Sequence, residues 1–485
     1  MRIMRLKVNY IYNTLYQILV VLLPLITVPY ISRTLGVEGL GKYAYTSSYT
    51  QYFILLGMLG IGLYGRREVA YVNDDKVERS KKFCNIYAVQ LVTAVLAYAF
   101  YLLLFVGIND ADETLYLIQS LLILGCVFDI SWFFIGIEDL KSVVTRNFIV
   151  KLLSIIAIFI FVKHRDDLLI YSLIMGIGTV LGQLIMWLNL RDKIIFIKPS
   201  FSEFKLHFIY ASKLLVSQVA IQIYVVLDKT MLGILATEAQ VGLYDNSQKI
   251  IKTILALVTS IAVVLMPRMS LLYAQNKMSE FKKLANSVFS YINFIGIPIM
   301  VGLMAVAKEF SVWFYGPDFQ GIEYLLMIGS AIIIAISWSN VLGTQIMIPM
   351  KKERQFTLSV LTGAIVNFTL NLMLIKSLGA IGSTLSTVIA EITVTLVQAY
   401  YLRDLIDFRY ALKTFIKPIL SSIPMYIIVR QVLMSVPANI IGTTIASGVG
   451  VMVYFSLSYL LKHELIIRGI EELKNKVKRK KYENE

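Results

Sequence analysis

Asp245, Gln248, Lys249, Lys252 and Thr259 recur at three-, four- and seven-residue spacings in a largely apolar span, so a helix places them on one face. An ammonium at mid-bilayer costs roughly 2.5–3.5 kcal/mol on insertion scales, so such a stripe must look into a wet cavity or onto a partner helix. If the helix begins near Val241, a rise of about 1.5 Å per residue puts Lys249 and Lys252 about 12 and 16 Å below its outer end. Lys252 then lies near the midplane, too deep for easy snorkelling. Two lysines at that depth suit a phosphate-bearing anion. A structural ion pair, or a span that starts later in the chain, accounts for the same pattern.

Other embedded residues extend the candidate set. Arg33 and Lys229 sit at the outer ends of two further apolar runs, where they either meet an anion near an exit or anchor at the interface. Lys213 lies within the run that Lys229 ends. Asp129, Asp228 and Glu391 are acidic residues within or near apolar runs, suited to neutralise the lysines or to carry a coupling proton or sodium ion. Asn13 with Gln17, Ser337 with Asn340 and Thr344, and Asn367 with Asn371 fall three or four apart, a spacing that serves either sugar contacts or helix–helix glue. Gln51 and Gln248 add to that polar lining.

Enzymatic and metal chemistry have little to stand on. Cys84 and Cys126 lie in or beside apolar runs and read as small core residues. His164, His207 and His463 are scattered without ligand spacing, so neither metal nor cofactor is expected. Gly36-Val-Glu-Gly-Leu-Gly41-Lys42-Tyr43 matches seven positions of a phosphate-binding loop, but Tyr43 replaces the hydroxyl residue that would hold magnesium.

The elements that position these residues are membrane-spanning helices. The chain is 57% hydrophobic and only 16% charged, far too little charge for the surface of a soluble protein of 485 residues. Apolar runs of about 20 residues, each long enough to cross the ~30 Å hydrocarbon core, recur from end to end. Fourteen are expected, centred near Leu22, Ile54, Ala94, Gly125, Ile156, Thr179, Ile221, Leu255, Gly296, Ile333, Val366, Ile389, Ile427 and Gly450.

Cations fix the orientation. With Arg2, Arg5 and Lys7 inside, every second gap is basic, from Arg66–Lys82 and Lys141–Lys151 through Arg191–Lys205 to the tail beyond Lys462, and these segments hold 35 of the 46 Lys and Arg. The formal charge of +15 is therefore a topology signal that needs no nucleic-acid partner. Both termini are expected in the cytoplasm.

The chain also repeats itself. Gly41, Tyr43, Arg67, Lys76, Lys81, Lys82 and Asn85 recur 201 positions later as Gly242, Tyr244, Arg268, Lys277, Lys282, Lys283 and Asn286. Ile130-Ser131-Trp132 returns as Ile336-Ser337-Trp338. Because six spans is an even number, the copies are parallel repeats. The expected organisation is an N-lobe over 1–190, a cytoplasmic linker over 191–206, a C-lobe over 207–403, two additional spans over 404–462, and a basic amphipathic tail over 463–485 lying on anionic lipid. At the repeat offset, Lys249 stands where the first copy has Ser48, and Lys252 where it has Gln51. The cavity should therefore be asymmetric.

The ordered motifs resemble a known family. Pro29-Tyr-Ile-Ser-Arg33-Thr-Leu-Gly36 followed by Glu38-Gly-Leu-Gly41-Lys-Tyr43 is similar to the N-terminus of Wzx-type polysaccharide flippases, of the multidrug/oligosaccharidyl-lipid/polysaccharide exporter superfamily. Asp228-Lys229-Thr-Met-Leu-Gly233, Val241-Gly-Leu-Tyr244, Pro267-Arg268 and Gly379-Ala-Ile-Gly382 resemble its second lobe. The resemblance implies an all-α, MATE/MOP-like transporter whose two six-helix lobes enclose a cavity and work by alternating access. It further implies a cargo of undecaprenyl-pyrophosphate-linked oligosaccharide, crossing the bacterial cytoplasmic membrane for capsule, exopolysaccharide or O-antigen assembly. A polymerase and a chain-length regulator would be pathway partners. Competing expectations are a peptidoglycan-precursor flippase, a drug/cation antiporter, or a membrane glycan polymerase. The antiporter would favour acidic cavity residues, and the polymerase a large external loop.

Overall fold

Backbone N–H and C=O groups in hydrocarbon must be satisfied within the chain, and the computed structural model meets this with helices throughout. It describes residues 2–107, 112–467 and 471, with side chains for all of these except 2–22, 216–225 and 260–264. Asn13, Gln17 and most of the basic tail therefore lie outside the described side chains. Among the described residues ten helices are long and apolar enough to cross a membrane, and there is no strand. The other four expected spans fall in α1 (Arg2–Met58), on either side of Gly36, and in α8 (Phe201–Leu235) and α9 (Glu238–Ala274). Gly36 has φ 72°, a left-handed value that breaks α1 and that a side chain would resist. Lipid-facing positions carry bare hydrocarbon: Leu96, Leu103, Ile365 and Met373 are each more than 60% exposed.

Contacts divide the chain into Met1–Gly242 and Leu243–Glu485. The first unit holds α1, α2 (Ile61–Tyr71), α3 (Lys76–Phe105), α4 (Glu113–Phe128), α5 (Ser131–Gly136), α6 (Leu140–Phe161), α7 (Leu168–Leu188) and α8. The helix α8, seventh in the repeat count, thus packs with the first unit, against α1 and α3. The connection before it lies along α3, where Ser80, Cys84 and Asn85 accept hydrogen bonds from the backbone N–H of Ile195, Ile197 and Ser200. Lys193 pairs with Asp139 at the start of α6. Burial opposes ionisation of Asp139, but the Lys193 ammonium and the Ser142 hydroxyl outweigh it and hold its pKa below the usual carboxylate range.

The second unit holds most of α9, then α10 (Met278–Tyr315), α11 (Ile322–Gly329), α12 (Ala331–Asn340), a π-helical stretch over Val341–Met347, α13 (Glu353–Leu378) and α14 (Ala380–Tyr401). The additional pair, α15 (Phe408–Ser435) and α16 (Ile440–Leu460), docks on α10. Arg430 reaches Glu309 at 2.7 Å, Trp313 donates to the Thr443 hydroxyl at 2.9 Å, and Tyr454 donates to the Phe294 carbonyl at 2.6 Å.

The repeat is visible in the packing. Trp132 donates its indole N–H to Gln90 of α3 at 2.8 Å, and Trp338 donates to Asn293 of α10 at 2.8 Å. Each tryptophan also packs on a phenylalanine one helix away, Phe83 in the first copy and Phe289 in the second. The repeated glycines meet where α1 crosses the start of α9. A Cβ on Gly41 would lie 1.8 Å from the Glu238 carbonyl oxygen, and one on Gly242 would lie 2.1 Å from that of Val37.

No backbone can yield at such a crossing cheaply. Gly41→Ala should therefore lower stability by about 1–3 kcal/mol, seen as earlier thermal aggregation of purified protein. Gly62→Ala, which meets open space, should leave the transition in place or raise it. Equal behaviour of the two variants would remove the crossing as a constraint.

Candidate functional site

The stripe on α9 is partly packed and partly open. Asp245 and Gln248 are buried, Lys249 is half-buried, and Lys252 is exposed. Lys249 pairs with Asp245 at 2.7 Å, one helical turn back, which lowers the cost of holding an ammonium there. Its neighbours are locked, since Tyr315 donates to the Asn246 carbonyl at 3.0 Å and the Tyr244 and Thr387 hydroxyls share a 3.0 Å bond. Lys252 lies about 21 Å along α9 from Glu238, in the middle of the helix.

At the repeat offset the first copy has Ala44 and Ser48 where the second has Asp245 and Lys249. Ser48 is bonded to Thr230 of α8 at 2.9 Å, and Tyr52 reaches the same Thr230 hydroxyl at 3.0 Å. The first copy thus spends this position on helix packing, whereas the second sets an ion pair there. Gln51 is half-buried.

The remaining candidates separate by environment. Arg33 is exposed and lines a pocket with Tyr30, Thr34, Lys163, His164 and Arg165. Lys213 is exposed, with its ammonium 5.3 Å from the Tyr210 ring. Lys229 is half-buried beside the buried Asp228. Arg33, Lys213 and Lys229 belong to the first unit, Lys249 and Lys252 to the second.

Asp129 sits in the break between α4 and α5, where its carboxylate accepts from the Ser131 N–H at 2.9 Å. Gln90 closes the same break by donating to the Cys126 and Asp129 carbonyls at 2.7 Å each. Glu391 is buried in α14. Asn340 accepts from Thr344 at the entry to the π-helical stretch. Asn367 and Asn371 are buried on one face of α13, where Asn371 donates to Asn367 one turn back at 3.2 Å. Lys42, the lysine of the loop-like motif, pairs with Asp112, and that motif is helical apart from Gly36.

Arg146 and Lys151 are the cations whose position the sequence conceals. They count among the cytoplasmic set by order along the chain, yet both lie inside α6, on the wall of a cleft of about 400 Å³ shared with α1 and α7. Arg146 is buried and donates to Gln183 of α7 at 2.6 Å. The signal available in sequence was Gln183, a lone amide in an apolar span.

Fold and site together define a multi-pass membrane protein, helical among the described residues, with an internal repeat and a C-terminal helix pair. The chain belongs to the polysaccharide biosynthesis protein family, whose pattern matches residues 6–273, more than half its length.

It is 24% identical over 415 residues to a protein of Escherichia coli (strain K12) named as an O-antigen transporter, a match covering 82% of this chain and 97% of that one. It is 23% identical over 247 residues to a Haloferax volcanii protein named as a low-salt glycan biosynthesis flippase, covering 50% of this chain and 51% of that one. Its fold is similar to that of the lipid II flippase MurJ in an inward closed conformation, with a TM-score of 0.74 and 18% identity over 95% of this chain and 100% of that one. An inward-facing multidrug resistance MATE family transporter of the MOP superfamily gives 0.62 and 12% identity over 81% and 95%. At these identities the structural likeness establishes the fold alone.

The Asp245–Lys249 pair can be weighed directly. Asp245→Asn should destabilise more than Asp245→Asn combined with Lys249→Gln, with a coupling of about 1 kcal/mol in thermal unfolding of purified protein. Strict additivity would mean that the two groups do not feel each other.

Proposed function

We propose that this chain is a Wzx-type flippase that carries a lipid-linked oligosaccharide from the inner to the outer leaflet of the bacterial cytoplasmic membrane. The cargo of this reading is an undecaprenyl-pyrophosphate-linked repeat unit for capsule, exopolysaccharide or O-antigen assembly. Family membership supports it, as do the transport and flippase names of its relatives. The observation that carries it is Lys252, exposed in the middle of α9 one turn from the Asp245–Lys249 pair. An ammonium at that depth costs roughly 2.5–3.5 kcal/mol in hydrocarbon, so an exposed position there suits a wet path that an anion can enter.

In this reading Lys249 and Lys252 hold the pyrophosphate, and Arg33, Lys229 and Lys213 assist along the path. Gln51, Gln248, Asn340, Asn13 and Gln17 contact sugars or support the residues that do. Asp129, Asp228 and Glu391 tune the cations or couple transport to an ion. Expelling an anion from an inside-negative cell is downhill by about 2.3 kcal/mol per charge per 100 mV, which suits a transporter working by alternating access. No bond is made or broken, so the protein acts as a carrier and not as an enzyme. Both termini lie in the cytoplasm, and a polymerase and chain-length regulator act after it.

Removing a charge-assisted contact worth about 1.5–3 kcal/mol should slow translocation roughly tenfold or more. Lys252→Ala and Lys249→Ala, at unchanged protein level, should each reduce surface polymer accordingly, and Lys252→Glu should abolish it. Lipid-linked glycan should then accumulate on the inner leaflet. Intact export in all three variants would refute the assignment, and accumulation on the outer leaflet would point to a polymerase instead.

A further inference from the structure

The cleft in the first unit has an ordered polarity that the α9 stripe lacks. Its lining comes from the first half of α1, from α6 and from α7. At one end stand Arg146, Asn147, Lys151 and Gln183, two cations and two amides. At the other stand Ile31, Ile155, Ile158, Tyr171 and Met175, with no charge among them. Between them, Thr27 and Thr179 direct their hydroxyls to carbonyls of their own helices at 3.0 and 2.9 Å, and Ser154 adds a third hydroxyl. Twelve residues of α6 separate Arg146 from Ile158, a run of about 18 Å.

Depth gives the polar end a direction. Arg146 and Lys151 lie about 9 and 16 Å along α6 from Leu140, and the order of basic gaps makes Leu140 the cytoplasmic end. Arg146 is only 8% exposed and is held by the neutral acceptor Gln183. A guanidinium and an ammonium set beside a long apolar wall fit a molecule with an anionic head and a hydrocarbon chain. An aqueous anion such as inorganic diphosphate would satisfy the head end and leave the apolar run unused.

We infer that this cleft binds a phosphate-bearing lipid, with Arg146 and Lys151 on the phosphate and the Ile155–Ile158 wall against the first segment of the chain. The inference rests on the cleft alone and goes beyond the Lys249–Lys252 stripe. The diphosphate of a carried lipid and the headgroup of a resident anionic phospholipid share this chemistry, and the experiment separates them.

Ser154 lines the cleft midway and provides a local reporter. Ser154→Cys is placed in a background with Cys84→Ala and Cys126→Ala, and its maleimide labelling rate is measured on purified full-length protein in detergent. Undecaprenyl diphosphate should slow labelling about tenfold or more, as expected for charge-assisted contacts, whereas neutral undecaprenol should change it little. Lys151→Gln should abolish the protection. Thr27→Phe, which fills the cleft from α1 without touching a charge, should abolish it independently, so the inference remains testable if either variant folds poorly.

Protection by undecaprenyl diphosphate alone would identify a cargo site. Protection by phosphatidylglycerol as well would identify a general phosphate-lipid site. Equal protection by undecaprenol, full protection in Lys151→Gln, or no protection by either phosphate lipid would overturn the inference. Because labelling requires no transport, intact export in the Lys249 and Lys252 variants beside full protection at Ser154 would count against the flippase reading and leave the cleft standing.

Discussion

A polar group left unsatisfied in hydrocarbon costs several kcal/mol, and nearly every feature of this molecule answers to that constraint. It explains why the described chain is helical from end to end. It also explains how the helices can be interrupted. Where α4 stops and α5 begins, the freed Cys126 and Asp129 carbonyls are taken by the Gln90 amide, and the Asp129 carboxylate caps the new helix at Ser131. The extended connection before α8 satisfies its N–H groups on Ser80, Cys84 and Asn85.

Duplication then solves a packing problem twice with one pattern. The Trp132–Gln90 and Trp338–Asn293 bonds are equivalent in role although their acceptors differ in type and position. An indole N–H in an apolar setting needs an acceptor, and any side-chain amide on the adjacent helix will serve. Gly41 and Gly242 are identical for a stricter reason, since each faces a carbonyl oxygen that no substituent can displace cheaply. Where only the scaffold is at stake the copies agree. At Ala44 and Ser48 against Asp245 and Lys249 they part, and the second copy carries charge that packing alone does not require.

The spans were legible because hydropathy is a local property summed over about 20 residues. What each helical face meets was not legible. Spacing alone put Gln248 and Lys252 on one stripe, yet Gln248 is buried and Lys252 exposed. The same rule grouped Asn367 with Asn371, and these bond to each other. Arg146 and Lys151 escaped notice for a related reason. Counting cations gap by gap assumes that a basic residue between two apolar cores lies in water, but α6 begins at Leu140 and carries both inward with it. The packing of α8 with the first unit was equally out of reach, because a repeat records descent while contacts record assembly.

The two basic sites differ in how their charge is held, and that difference bears on what each can do. A carrier must bind its cargo and then let it go, so a site of full, rigid charge would be a trap. Asp245 beside Lys249 tempers one lysine, while the exposed Lys252 has four flexible carbons with which to follow a moving phosphate. Arg146 is the opposite case: a planar guanidinium, buried and fixed to Gln183, with little freedom to travel. Flexible, tempered charge suits passage, and rigid charge beside an apolar wall suits residence. On that physical ground the α9 stripe suits the passage proposed for it, and the cleft in the first unit would hold a phosphate lipid more rigidly than the stripe could.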